Sequence, residues 1–263
     1  MRDVAGERQS DADHGRLLLF GLAGLLAIRL LALLVNRTDL FFDEAQYWSW
    51  AQAPALGYYS KPPLIAWIIA ATTSVCGDGE ACVRIASPIL HTVTAGLVWL
   101  VGQQLYGTRV GFWAAVVYAT LPGVSFSSGL ISTDVPLLLA WAGALLALVR
   151  LSETGSLGVA ALLGLAIGVG LLAKYAMAFF PVSLAIAYLI APQTLTKVRG
   201  RALLVVALCA AAIVAPNLVW NAGNGFSTFG HTADNANWGQ AWPRPLKALE
   251  FLAGQLGVFG PIL

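Results

Sequence analysis

A predominantly apolar run from Leu17 to Val35 limits what this chain can become more than any other feature. It is longer than a signal-peptide core, which covers about 7–15 residues, and no small-residue cleavage site follows it. It is therefore read as a retained membrane span. Similar runs recur along the chain. Inside a bilayer the backbone must satisfy its own hydrogen bonds, so each run is expected to be a helix. A span needs about 20 residues, with about 17 as the lower limit. Eight spans are expected, near 17–35, 85–105, 110–126, 135–150, 157–173, 175–191, 202–220 and 248–263. The stretch 157–191 exceeds one helix and is divided at Lys174. Gly164 and Gly168 form a small-xxx-small step, read as a helix-packing face.

Composition agrees. Hydrophobic residues make up 58% of the chain and charged residues 11%, against about a quarter charged in soluble domains. Too little polar surface remains to cover a water-soluble globule. The net charge of +2 offers no footing for nucleic acid. Nine Trp and seven Tyr suit interfacial belts. Residues 1–16 mix charges of both signs and are expected to form a disordered cytoplasmic tail.

The twelve apolar residues 64–75 follow Pro62-Pro63 and are too few to span; stretches of about 10–14 are more often interfacial. With 64–75 outside the bilayer and the N-terminus inside, Lys and Arg number eight inside against six outside. If 64–75 spanned, the count would be seven against seven. The positive-inside rule favours the first arrangement. The membrane domain then covers 17–263, with outer loops 36–84 and 221–247 and the short connection 127–134 on the same face. Cys76 and Cys82 lie in the first outer loop, where an oxidising compartment permits a disulfide without requiring one. Cys209 is expected to be a packing residue within a span.

The first outer loop carries the most chemistry. Asp43 and Glu44 are adjacent carboxylates just after a span. Gln46, Tyr47, Trp48 and Trp50 follow, suited to a helix lying in the interface. Glu44, Tyr47, Trp48 and Ala51 share one helical face. Next comes Tyr59-Ser60-Lys61-Pro62-Pro63, with a fixed cation between aromatics and prolines. The plain alternative is that Asp43 is an N-cap, the aromatics are belt residues and Lys61 reaches for headgroups. Asp134, in Ser132-Thr133-Asp134-Val135-Pro136, lies on the same face. It too has a capping alternative, with Thr133 or Asp134 starting a helix. Ionisable groups at membrane boundaries are nonetheless candidates for function.

The order of these segments resembles GT-C fold glycosyltransferases: one span, Asp43-Glu44 with an aromatic helix, Tyr59-Ser60-Lys61-Pro62-Pro63, then Ser132-Thr133-Asp134. The nearest groups are the family 39 enzymes, namely aminoarabinose transferases of lipid A and bacterial relatives of protein O-mannosyltransferases. Gly170-Leu171-Leu172-Ala173-Lys174-Tyr175, Pro216-Asn217-Leu218-Val219-Trp220-Asn221 and Asn224-Gly225-Phe226-Ser227-Thr228-Phe229 extend the likeness across about 17–263. The resemblance implies an all-α, GT-C-like polytopic bundle with juxtamembrane helices in its first outer loop. It implies an inverting enzyme of the bacterial inner membrane, working on the periplasmic side. The donor would be a polyprenyl-phosphate sugar and the acceptor a lipid, glycan or protein. Asp43 is the candidate general base, since an attacking hydroxyl or amine must lose a proton. Glu44 would orient the site and Asp134 would shape a sugar or acceptor pocket. Lys61 would stabilise the departing phosphate. Tyr59, Lys174 and His231 are further candidates for substrate or phosphate contact, and Arg84 for an anchor or phosphate contact. No metal-ligand constellation stands out, so no cofactor is expected. The resemblance also implies a longer protein, so the domain is expected to be incomplete at Gly260-Pro261-Ile262-Leu263. Two rivals are a non-catalytic subunit packed in a larger membrane complex and a transporter. Transporters place ionisable groups near the midplane rather than at span ends.

Overall fold

The computed structural model describes residues 4–235 and 245–260, and every regular element among them is helical. Four helices are long and apolar enough to cross a membrane: Asp13–Val35, Glu80–Tyr106, Asp134–Thr154 and Arg201–Gly223. They lie within α1 (Val4–Val35), across α4 (Glu80–Arg84) and α5 (Ala86–Tyr106), and on α8 (Asp134–Thr154) and α11 (Arg201–Gly223). Large apolar side chains such as Phe20, Leu34, Leu189 and Leu204 are exposed, as lipid contact requires.

The other apolar segments are shorter than the expected spans. The expected span 110–126 is two helices, α6 (Thr108–Thr120) and α7 (Pro122–Ser127). Pro122 has no amide hydrogen and disfavours helical geometry at Leu121, which adopts φ −51°, ψ 135°. The segment 175–191 opens as a 3₁₀ turn, Tyr175–Ala178, before α10 (Phe179–Ile190). Lys174 is extended at φ −160°, ψ 134° and separates this turn from α9 (Leu157–Ala173). The last element, α13, covers Pro245–Phe259; residues 261–263 of the expected final span lie outside the described residues. At the other end, α1 begins at Val4, so residues expected to be disordered are helical. Once the span supplies a nucleus, each added residue gains a hydrogen bond, and Ala, Glu, Arg and Gln are good helix formers.

The bundle is a row: α6 packs on α5, α5 on α8, α8 on α9 and α9 on α11, with α1 against α6 and α5. Gly164 and Gly168 set the α9–α11 contact. A Cβ on Gly164 would lie 2.5 Å from the Val206 carbonyl oxygen, and one on Gly168 would lie 2.7 Å from Ile213 Cβ. Cys209 is a free, half-buried thiol at this interface.

The segment between α1 and α5 is helical throughout its middle: α2 (Phe42–Ala51), α3 (Leu64–Cys76) and α4. Tyr47, Ala51, Ile65, Ile69, Val83, Ala86 and Ile131 form its own buried core. Cys76 and Cys82 are disulfide-bonded, closing the turn between α3 and α4. Trp48 Nε1 donates to Asp78 Oδ1 at 3.1 Å and fastens α2 to that turn.

After α11, α12 (Ser227–Asn235) folds back; residues 236–244 of the expected loop 221–247 lie outside the described residues. Thr228 Oγ1 donates to the Tyr58 carbonyl at 2.6 Å and Asn217 Nδ2 to the Leu56 carbonyl at 2.7 Å. Between them the Trp220 ring covers Gly57, where a Cβ would sit 2.3 Å from Trp220 Cε3 and 2.9 Å from Asn217 Nδ2. Gly57→Ala is therefore expected to cost roughly 1–3 kcal/mol through overpacking, read as a fall in Tm of the purified protein. An unchanged Tm would mean that Trp220 yields freely.

Candidate active site

The buried anchor of the site is Glu44. Helix α2 starts with Phe41 as N-cap, so Asp43 is a first-turn residue rather than the cap. Glu44, three residues into the helix, reaches back to accept the Phe41 N–H at 3.0 Å. Its carboxylate also accepts Arg84 Nε at 2.9 Å, Arg84 Nη2 at 2.7 Å and the Ile131 N–H at 2.9 Å. Arg84 in turn donates to the carbonyls of Thr38 at 3.0 Å and Asp39 at 2.9 Å. Both side chains are almost fully buried, 2% and 1% exposed. Burial alone would push the Glu44 carboxyl up, but the Arg84 bonds and the two backbone N–H groups outweigh it and hold it below the usual glutamate range. Glu44 thus joins three segments: the end of the first span, the start of the second, and the 127–134 connection. Its oxygens are committed to that clamp, and so is the Arg84 guanidinium.

The clamp joins the segments that carry Asp43 and Asp134, and both charges act on Tyr47. Tyr47 lies at i+4 from Asp43, on the face of α2 that is buried. Burial pushes its phenol well up, the charges of Asp43 and then Asp134 add to this, and Asp43 is the hydrogen-bond acceptor. Asp43 is exposed and has no ion pair among the described residues. Asp134 begins α8; Thr133, its N-cap, makes no side-chain cap bond, so capping does not account for this motif. Instead Asp134 Oδ1 accepts Lys174 Nζ at 2.7 Å.

Contacts continue through the residue after Lys174. The Tyr175 hydroxyl donates to Asn217 Oδ1 at 2.9 Å and accepts from Asn221 Nδ2 at 3.3 Å. Its ring stacks on Phe229, with centroids 4.7 Å apart. Two residues further along α12 the His231 ring meets Tyr59 at 5.3 Å. Tyr58, beside it, stacks on Trp50 at 4.7 Å, and its hydroxyl donates to the Trp50 carbonyl at 3.1 Å. Lys61 is half-buried, and its carbonyl accepts the Tyr58 N–H at 3.3 Å.

Residues far apart in sequence therefore form one connected set. Asp134 and Lys174 are joined directly, the charges of Asp43 and Asp134 both act on Tyr47, and Tyr175, Phe229, His231 and Tyr59 continue the set to the turn that holds Lys61. Lys61 itself has no ion pair with either aspartate. Tyr47 and Tyr175 are positions whose importance the sequence reading missed. The i, i+4 step from Asp43 was the available signal for Tyr47; for Tyr175 there was only adjacency to Lys174. Among the described residues no group of three His, Cys, Asp or Glu side chains gathers to hold a metal.

The profile of the dolichyl-phosphate-mannose-protein mannosyltransferase family matches residues 60–220. Lipid A galacturonosyltransferase RgtD of Rhizobium johnstonii is 41% identical over 242 residues, covering 91% of this chain and 50% of its own length. Lipopolysaccharide core galacturonosyltransferase RgtA of the same organism is 28% identical, covering 77% of this chain and 41% of its own length. An undecaprenyl phosphate-alpha-4-amino-4-deoxy-L-arabinose arabinosyl transferase of Pseudomonas aeruginosa is 32% identical over 56% of this chain and 30% of its own length. The chain spans about half the length, or less, of these curated relatives. No solved structure matches it.

Proposed function

Because the chain belongs to the dolichyl-phosphate-mannose-protein mannosyltransferase family, we propose that it moves a sugar from a polyprenyl-phosphate carrier to a glycolipid at the periplasmic face of the bacterial inner membrane. The undecaprenyl-phosphate transferase relatives support the donor class. The lipid A and core galacturonosyltransferases support a glycolipid acceptor and make polyprenyl-phosphate galacturonate the first donor to test. On this reading α6–α7, α9, α10 and α13 also cross the bilayer, giving eight passes with the N-terminus inside and α3 on the outer surface.

The observation that carries the proposal is that Lys174 bonds to Asp134 while the charges of both Asp43 and Asp134 act on the buried Tyr47 phenol. Asp43 is the carboxylate left open to take a proton. An acceptor hydroxyl attacks the anomeric carbon while Asp43 removes its proton. The new carbon–oxygen bond forms as the bond to the phosphate oxygen breaks, and the electron pair leaves with the phosphate. One displacement inverts the anomeric centre. Lys61 faces the charge that grows on the departing phosphate, where a fixed cation stabilises the transition state more than the ground state. Lys174 and Asp134 form the wall of the sugar or acceptor pocket, and Tyr59 and His231 form the opposite rim. Glu44 acts as a positioning residue through the clamp.

The test is release of polyprenyl phosphate by the purified protein in nanodiscs, given polyprenyl-phosphate galacturonate with and without lipid A. Acceptor-dependent release is expected. Donor binding without release under any acceptor would favour the non-catalytic subunit.

A further inference from the structure

A second polar site lies at the first span, away from the clamp. Arg29 stands inside α1, six residues before its end, which places it about 9 Å below the outer terminus at the usual helical rise. Among the described residues no carboxylate pairs with it. It is buried, and it borders a cavity of about 310 Å³ that is also lined by Ala32, Leu33, Asn36, Ser125, Ser128 and Gly129. That volume is at the small end of ligand sites.

The groups around this cavity have spare donors and no negative charge. Arg29 Nη2 donates to the Ala119 carbonyl at 2.6 Å and lies 3.4 Å from Ser125 Oγ. The first of these bonds caps the end of α6 where Pro122 breaks the helix, which explains one guanidinium hydrogen out of five. Nε and Nη1 have no protein acceptor. Asn36 Oδ1 accepts both the Thr38 N–H at 3.0 Å and its hydroxyl at 2.9 Å. That fixes the amide orientation and leaves Asn36 Nδ2 as an unused donor. Ser125 Oγ accepts from Arg29, so its own hydrogen is free to be donated. A cation within a span is costly unless something compensates it, and such residues mark binding or transport paths.

We propose that this cavity is an anion subsite that takes the phosphate group of an outer-leaflet lipid. Arg29 supplies its charge and the unused Nε and Nη1 donors, Asn36 and Ser125 supply neutral donors, and Ala32 and Leu33 line the apolar side toward the lipid chains. A hydrogen bond from a guanidinium to a phosphate oxygen is charge-assisted and stronger than a neutral one. The depth of Arg29 suits a headgroup held at the bilayer boundary rather than an ion drawn from bulk water. The cavity lining shares no residue with the aspartate pair, although the connection that supplies Ser128 and Gly129 runs on to Ile131 and Asp134.

Native mass spectrometry of the purified protein tests this, using nanodiscs of phosphatidylcholine with and without phosphatidylglycerol. Wild type is expected to retain phosphatidylglycerol over phosphatidylcholine at least fivefold. Arg29→Gln should lose that preference, while Arg29→Lys, which keeps the charge and can still cap Ala119, should retain most of it. Asn36→Ala, which leaves the α6 cap untouched, should weaken it severalfold. Inorganic phosphate at millimolar concentration is the second arm: it should leave lipid retention unchanged, and full displacement by it would assign the site to free phosphate and overturn the lipid source. Equal preference in wild type, Arg29→Gln and Asn36→Ala would overturn the subsite itself and leave Arg29 as a helix cap.

Discussion

Asp43→Asn is expected to reduce sugar transfer by about 10²–10⁴-fold, the range for loss of a general base, with membrane insertion and Tm unchanged. The expectation rests on how little else Asp43 does. It is exposed, it carries no ion pair among the described residues, and its one assigned contact is the hydrogen bond from Tyr47. An asparagine side-chain oxygen still accepts that bond, so the geometry of α2 survives and only proton acceptance is removed. Asp134 is the obvious competitor for the role, but its Oδ1 is already engaged by Lys174. Asp134→Asn should therefore act mainly on substrate binding, raising KM more than it lowers kcat. Radiolabelled donor turnover measured for both variants separates the two. Full activity in Asp43→Asn would remove it as the base, and a kcat collapse confined to Asp134→Asn would exchange the roles.

Much of this arrangement could be read in the chain before folding. Apolar runs near 17–35, 85–105, 135–150 and 202–220 correspond to the four long helices, because a span leaves a strong compositional trace. The helical step Gly164–Gly168 foretold its contact with α11 for the same reason: only a residue without a side chain allows that approach. What composition could not carry was local. A run such as 110–126 looks continuous on an apolar scale, yet a single proline divides it. The burial of the two adjacent carboxylates was not legible either. Their surroundings diverge because a helix turns about 100° per residue, which sends Glu44 inward to Arg84 and leaves Asp43 outside. Nothing in the spacing of Glu44 and Arg84, forty residues apart, announces that pair. Arg29 is a lone charge within the first span that the sequence reading passed over, and its setting depends on the break at Pro122, beside which it meets the Ala119 carbonyl and a cavity.

Removing Arg84 should affect stability more than any other single change at the site. Arg84→Met leaves a carboxylate that is 2% exposed without its cation, and breaking a buried pair in this way costs about 3–5 kcal/mol. The double variant Glu44→Gln/Arg84→Met removes the stranded charge and should recover a good part of that loss. The coupling between the two positions is then the measurable signature of the clamp. Activity should not recover with stability. Glu44 accepts the Ile131 N–H on one oxygen and the Phe41 N–H on the other, and a glutamine has only one acceptor oxygen, so either the connection that presents Asp134 or the N-terminal turn that sets Asp43 comes loose. Acid provides an independent check. The folded Glu44 carboxyl is held below the ordinary value of about 4.3, chiefly by Arg84 and the two N–H groups working against burial. Its stabilisation is therefore complete above that ordinary value and is lost as pH falls through the lower folded one. Wild-type Tm should drop, as pH falls below about 4.3, beyond any drop in the double variant, whose position 44 cannot titrate. Parallel Tm curves would show that the clamp contributes nothing through its charge. A divergent pair, with activity absent in the double variant at every pH, would separate what the adjacent carboxylates do: Glu44 holds three segments in place, and Asp43 works because they are held.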